Sequence, residues 1–265
     1  MSISHWLALF VFVFALSTTA CAKLKKDNNP APAGGGGHTG TTPSSSSSSP
    51  SSATGPATET TWAATATSLN GADGQTLTLA CPPGGEPHSV WGTDIYTADS
   101  SICTAAVHSG LITFQQGGTV TIELRPGKTI YGASERNGVT TNTYGSWDHS
   151  FVFKTPNTEK ILRAAQDVTP VLWNTSATVV GFAPGKTLMF LCPAGGKPSS
   201  VWGTDIYTLD SSICTAAVHA GKISIESGGP VTLEMRPGES SYKGSLRNGI
   251  KSSDYEQYGS SFVLK

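Results

Sequence analysis

Side chains of the kinds that enzymes use for acid–base chemistry occur twice in this sequence, at positions that differ by 111. In the first copy they are Asp94, Tyr96, Asp99, His108, Glu123, Arg125 and Arg136. They match no familiar catalytic pattern: there is no Gly-x-Ser-x-Gly elbow, no His-Glu-x-x-His motif, no phosphate-binding loop and no Cys/His spacing for a metal. The sequence therefore predicts no catalytic centre, no cofactor and no metal site.

Two of these residues, His108 and Asp99, are more simply explained by a short helix between them. His108 falls in its last turn, where an imidazole faces the negative end of the helix dipole, and this role is favoured over proton transfer. Asp99 or Ser100 precedes the first turn, where a side-chain oxygen accepts from free backbone N–H groups. We therefore expect structural roles for both.

Aromatic residues offer a binding surface instead, because sugars and lipid headgroups dock on flat rings with polar groups beside them. Trp91 and Tyr96 are flanked by apolar residues and favour the core. Trp147 lies in a polar segment and is expected to be exposed. The candidate contacts are Tyr131, Arg136, Tyr144 and Trp147 in the first copy and Tyr242, Arg247, Tyr255 and Tyr258 in the second, with the two arginines as anion contacts.

A gapless duplication organises the chain. Residues 62–154 align with 173–265 at an offset of 111, and about half of the aligned positions are identical. The copies are predicted to be domains, joined by a spacer over 155–172. Residues 159–166 within this spacer have the pattern of two helical turns, which we expect to dock loosely on a domain.

Within each copy, one helix is predicted among several short strands. Residues 102–108 are apolar on most faces, and Gly110 follows as a stop signal. Alternation predicts strands at 75–79 and 120–125, with further short strands at 111–114 and 150–153. The fold class is therefore α+β, with two tandem small domains, each a central buried helix enclosed by short antiparallel β-strands.

Cysteine counting predicts one disulfide in each copy. Cys81 and Cys103 are the only cysteines of the first copy, and Cys192 and Cys214 the only ones of the second. A domain this small gains stability from a covalent link. The cysteines of an exported chain reach an oxidising compartment, in which disulfides form. The alternative is a pair of buried free thiols in each domain. Cys21 is then the odd cysteine.

The N-terminal segment predicts export. Residues 6–16 form an apolar run too short to span a bilayer as a helix but suited to a signal peptide over residues 1–20. Ala20-Cys21 resembles a bacterial lipobox, in which the cysteine is acylated. The alternative is cleavage after Ala22, which would give a secreted protein. Lipidation is favoured, with location at the outer membrane, cell surface or periplasm.

Residues 21–61 are predicted to form a tether, and the net charge of the chain excludes one class of partner. The tether is rich in Pro, Gly, Ser and Thr and has little to bury, so it is predicted to be a disordered linker. The net charge is −1, with no basic run in the folded part, which argues against nucleic-acid binding. Contact with a membrane is expected through a lipid anchor only.

The two copies resemble the LCCL domain. The resemblance rests on residues 90–96, 100–108, 117–118, 125–127, 131 and 136–138, and on their equivalents 201–219, 228–229, 236–238, 242 and 247–249. It implies a helix wrapped by β-structure in an extracellular, non-catalytic module that binds lipopolysaccharide, carbohydrate or another surface ligand. Animal members usually carry four cysteines, so the second family disulfide is absent here.

The sequence thus predicts an exported binding protein whose ligand is a glycan, a lipopolysaccharide or another cell-surface molecule. Two alternatives remain open. One is a structural or self-assembling envelope protein without a small ligand. The other is a secreted hydrolase, which no motif in the chain favours.

Overall fold

A computed structural model describes residues 56–265 of the chain. The predicted signal peptide, Cys21 and most of the predicted linker lie outside these residues. The first repeat and the segment after it contain β1 (Thr58–Glu59), β2 (Thr76–Cys81), β3 (Gly92–Thr93), β4 (Ile95–Thr97), α1 (Ile102–His108), β5 (Gly118–Pro126), β6 (Glu135–Arg136), β7 (Val139–Thr140), β8 (His149–Phe153) and α2 (Thr158–Asp167).

The second repeat has the same succession of elements. They are β9 (Thr169–Pro170), β10 (Thr187–Cys192), β11 (Gly203–Thr204), β12 (Ile206–Thr208), α3 (Ile213–His219), β13 (Gly229–Pro237), β14 (Leu246–Arg247), β15 (Ile250–Lys251) and β16 (Ser260–Leu264). A short 3₁₀ turn also stands near the start of each repeat, at Thr67–Leu69 and Ala177–Val180.

Each repeat is built on one six-stranded sheet. The strand order is β1-β2-β5-β8-β4-β3 in the first repeat and β11-β12-β16-β13-β10-β9 in the second, and each repeat adds one small hairpin, β6-β7 or β14-β15. All pairs are antiparallel except β1 with β2 and β9 with β10. The predicted α+β class is confirmed. The strands β1 and β9 precede the predicted domain starts at residues 62 and 173 and also belong to the two sheets.

The helix α1 is enclosed, as its sequence predicts, since all seven of its residues are buried. Its cap differs from the prediction. Ser101, and not Asp99 or Ser100, accepts the N–H of Thr104 at 3.1 Å, and the Ser101 hydroxyl donates to the carbonyl of Trp62 at 2.7 Å. Asp99 instead holds a buried carboxylate oxygen without a hydrogen-bond partner. The cap therefore also ties the helix to the chain at Trp62.

Both predicted disulfides are present. Cys81 at the end of β2 is bonded to Cys103 in the first turn of α1, and Cys192 is bonded to Cys214 in the same way. Each bond closes a separation of 22 residues. The sheet and the helix are therefore covalently joined in each repeat.

The strand predicted at 111–114 is wrong. The N–H of Leu111 still bonds the carbonyl of Ala106 at the end of α1, and the N–H of Gly117 bonds the carbonyl of Thr113 at 2.9 Å. The segment is therefore a loop that turns directly into β5. Its apolar residues pack as single side chains, since Ile112 and Phe114 lie half-buried against the core.

The spacer between the repeats is more ordered than its sequence indicates. Its helix α2 packs Leu162 and Ala165 against a small cluster on the sheet of the first repeat that contains Ile95 and Val152. The Lys128 ammonium donates to the carbonyl of Ala165 at 2.8 Å. Partial burial lowers the pKa of Lys128. This contact places a cation near the negative end of the helix.

The two repeats lie within one compact unit and touch each other. Ile130 of the first repeat is part of the hydrophobic core of the second.

Within residues 56–265, no helix has the length and apolar character needed to cross a membrane.

Candidate binding surface

The polar residues that recur in both copies form separate local pairs. The Arg136 guanidinium donates to the Asp94 carboxylate at 2.6 Å, and Arg247 does the same with Asp205. Glu123 accepts from Lys154 at 2.6 Å, and this bond holds the pKa of Glu123 below its usual range. Among the described residues, no group of three His, Cys, Asp or Glu side chains is arranged to hold a metal ion. These pairs fix loops and strand ends.

His108 lies in a buried polar network. Its Nδ1 is 2.8 Å from the Tyr96 hydroxyl and its Nε2 is 3.1 Å from the Ser134 hydroxyl, and the side chain is fully buried. Burial, with a further effect of the Arg136 charge, lowers the pKa of His108 to about 4. The expected structural role fits this network, but attraction to the helix dipole does not explain it, because the imidazole is neutral near pH 7.

A series of three aromatic rings runs along the surface of each repeat. Tyr144 stands edge-on between Trp91 and Trp147, with ring centroids 6.4 and 5.6 Å apart. The second repeat places Tyr255 between Trp202 and Tyr258 at 6.0 and 5.9 Å. The central tyrosine is the exposed member, with 39% of Tyr144 and 41% of Tyr255 accessible. Among the candidate aromatic contacts, these two rings are the most open to solvent.

Two of the predicted contact residues are buried. Tyr131 and Tyr242 are 1% and 3% exposed. The Tyr131 hydroxyl accepts the N–H of Lys128 at 2.9 Å, and the Tyr242 hydroxyl accepts that of Glu239. Neither ring is therefore open to solvent in this fold. They hold the loop that carries the exposed tyrosine, since Tyr131 pairs with Tyr144 through its backbone and Tyr242 with Tyr255.

Trp147 is half-buried, contrary to its expected exposure. It packs against the same small cluster as Leu162 and Ala165 of α2, so part of this ring is buried against the first repeat. Tyr258 is also half-buried and packs against the core of the second repeat. Both residues support the central tyrosine and have reduced access to a ligand.

Arg136 does not join the aromatic series. It lies on the β6-β7 hairpin and lines a cavity of about 520 Å³ between the repeats, whose opposite wall contains Val171, Leu172 and Leu191. Its guanidinium is already paired with Asp94. The candidate contacts of the first repeat therefore lie in two places, with Arg136 on the hairpin and Tyr144 in the aromatic series.

One depression in the second repeat has no counterpart among the features that the sequence predicts. It has a volume of about 960 Å³ and is lined by Ser241, Lys243, Asp254, Tyr255 and Glu256 among others. Only Tyr255 was predicted. The signal was present in the differences between the copies, because Lys243 and Glu256 replace Gly132 and Gly145.

Comparison with known proteins identifies what the repeats resemble. The LCCL domain model matches residues 57–151 and 173–262. The human cysteine-rich secretory protein LCCL domain-containing 2 is 37% identical over 181 residues, which cover 65% of this chain and 34% of that protein. Cochlin of Cavia porcellus is 46% identical over 76 residues, covering 28% of this chain and 14% of cochlin.

A horseshoe-crab protein shows the same local similarity. Clotting factor C of Tachypleus tridentatus is 42% identical over 80 residues, covering 29% of this chain and 8% of that protein. The chain thus spans about a third of the length of the human relative and less of the other two. The similarity lies in the repeats.

Proposed function

The chain belongs to the LCCL domain family, and from this premise we propose that it is an exported, non-catalytic binding protein for a surface ligand. We expect the ligand to be a carbohydrate or a lipopolysaccharide, because the resemblance to the LCCL domain implies ligands of these classes. Its binding elements are the loops around the buried helix, because the helix residues themselves are enclosed.

The observation that carries this proposal is the exposed tyrosine at the centre of each aromatic series. Tyr144 and Tyr255 each present a ring that neighbouring rings hold on two sides. A ring fixed in this way loses little conformational freedom when a ligand stacks on it. Polar side chains stand beside Tyr255, which suits a ligand with hydroxyl groups.

Binding of the purified full chain to an array of glycans and lipopolysaccharides tests this function. We expect at least one ligand to bind, and the double variant Tyr144→Ala/Tyr255→Ala to bind at least about tenfold more weakly. Leu246→Ala is the control, because Leu246 is 73% exposed outside both aromatic series. An array without binding, with larger species after crosslinking, would instead support a structural envelope protein. Turnover of an arrayed substrate would support a hydrolase.

Export and anchoring form the second part of the proposal. Cys81, Cys103, Cys192 and Cys214 are all in disulfides, which form in oxidising compartments. A human relative is named a secretory protein. The pairing leaves Cys21 as the fifth cysteine, and we assign it to a lipid anchor that holds the repeats at a membrane surface through the linker.

Metabolic labelling with a radioactive fatty acid tests the anchor. We expect the wild-type chain to be labelled and to partition with membranes, and Cys21→Ala to lose both properties. The disulfide variant Cys192→Ala/Cys214→Ala is the control and should still be labelled. An unlabelled mature chain that begins at Lys23 would show cleavage after Ala22 instead.

A further inference from the structure

The two repeats pack head to tail through a surface that each of them possesses. In the first repeat this surface is the pair of segments 129–133 and 143–146. Ile130 is 8% exposed and lies in the core of the second repeat, and Thr143 is 3.4 Å from Thr175 across the contact. The second repeat therefore covers part of this surface on the first.

Two glycines allow this close approach. A Cβ atom at Gly132 would lie 2.2 Å from the carbonyl oxygen of Pro170, and one at Gly145 would lie 3.0 Å from that of Val179. Real Cβ atoms do not approach backbone oxygens as closely as the first of these distances. Larger side chains at Gly132 would therefore separate the repeats.

The corresponding surface of the second repeat has a different composition and is open. Ser241 stands where the first repeat has Ile130, Lys243 stands at the place of Gly132 and Glu256 at that of Gly145. All three side chains are exposed and line the depression of about 960 Å³. The surface that the first repeat uses for docking is thus an open depression in the second.

The depression combines an aromatic face with hydrogen-bonding groups of both kinds. The Tyr255 ring is 41% exposed. The Lys243 ammonium lies 3.6 Å from the Asp254 carboxylate, which also accepts the N–H of Gly244 at 2.7 Å. That backbone bond and the Lys243 charge lower the pKa of Asp254, so it is ionised near neutral pH. Donors and acceptors therefore surround one stacking face.

The charge of the lining selects among ligands. Lys243 contributes one positive charge, whereas Asp254 and Glu256 contribute two negative charges, and the other lining residues are uncharged. Two carboxylates repel phosphate and carboxylate groups of a ligand. A ligand without charge avoids this repulsion and uses the same groups as hydrogen-bond partners.

From these observations we propose that the depression at Tyr255 is the single saccharide site of the two repeats and takes an uncharged sugar. This site specifies the ligand of the proposed binding function, and it rests on that function. The sugar ring stacks on Tyr255 while its hydroxyl groups bond Lys243, Asp254 and Glu256. The first repeat, whose equivalent surface holds the second repeat in place, serves as its support, so the two repeats together bind one ligand.

Isothermal titration of the full chain with neutral oligosaccharides tests the site. The probes are oligomers of glucose, mannose and N-acetylglucosamine, with lipopolysaccharide as the anionic probe. We expect one-to-one binding of at least one neutral oligomer. Tyr255→Ala should weaken it by about tenfold or more, and Asp254→Asn severalfold. The control Leu246→Ala, at an exposed position outside both aromatic series, should change the affinity less than twofold.

Distinct outcomes overturn the site and the function. Two ligands per chain, or equal losses for Tyr144→Ala and Tyr255→Ala, would remove the single site and leave the binding function intact. Binding of lipopolysaccharide alone would exclude an uncharged sugar as the ligand and would also leave the binding function intact. If none of these probes and no member of the wider array bound, the binding function itself would fail, and the saccharide site with it.

Discussion

Replacing Cys81 and Cys103 together by alanine is expected to lower the free energy of unfolding of the first repeat by about 3 kcal/mol. The disulfide closes a separation of 22 residues, and removing it lets the unfolded chain gain the corresponding loop entropy. The repeat is small, so it has little other stability with which to offset the loss. The two sulfur positions are buried, and the shortened side chains also lose packing.

Urea denaturation followed by tryptophan fluorescence measures this loss. The pair Cys192→Ala/Cys214→Ala should give a similar loss in the second repeat, because its bond joins the same elements over the same separation. Cys21→Ala is the control and should leave both transitions unchanged. An unaltered midpoint in the Cys81/Cys103 variant would mean that packing alone holds β2 against α1.

The sequence predicts those parts of the fold that local pattern or counting determines. Helix α1 and strands β2, β5 and β8 follow from apolar periodicity over consecutive residues. Both disulfides follow from two cysteines in each copy. The short strands β1 and β9 have two residues each and no periodicity, so only their parallel partners define them. The cap at Ser101 likewise depends on the distant carbonyl of Trp62.

The binding surface was less predictable because it depends on what covers each residue. Trp147 and Tyr258 occupy one position of the duplication, yet Trp147 packs against the small cluster that α2 also contacts, whereas Tyr258 packs against the main core of the second repeat. Tyr131 resembles an exposed loop residue in sequence but fills a small core. The depression at Tyr255 exists because the second repeat lacks the contact that the first repeat makes. Which residues are covered depends on how distant parts of the chain pack together, and a local sequence pattern does not show this.

Acidification is expected to destabilise the first repeat through His108, beginning well above the range in which carboxylates titrate. The folded state holds this imidazole at a pKa of about 4, against about 6.5 in an unfolded chain. Between these two values the unfolded state binds a proton that the folded state does not. Stability therefore rises with pH through this window and falls as the pH drops from about 6.5 to 4.

The size of the effect follows from the separation of the two pKa values. It corresponds to about 3 kcal/mol at pH 4 and below. Glu123 acts in a separate range, because its lowered pKa makes its contribution disappear only below about pH 4.5. A loss of stability between pH 6.5 and 5 thus reports the histidine.

Urea denaturation of the His108→Gln variant between pH 4 and 7.5 isolates this contribution. The amide offers a donor and an acceptor to the Tyr96 and Ser134 hydroxyls but does not titrate, so the variant should show a flatter profile of stability below pH 7. His149→Gln is the control, since His149 is exposed. An NMR titration that placed the His108 pKa near 6.5 would contradict this account. The network would then accept an imidazolium, and the fully buried side chain would need a negative partner close to it.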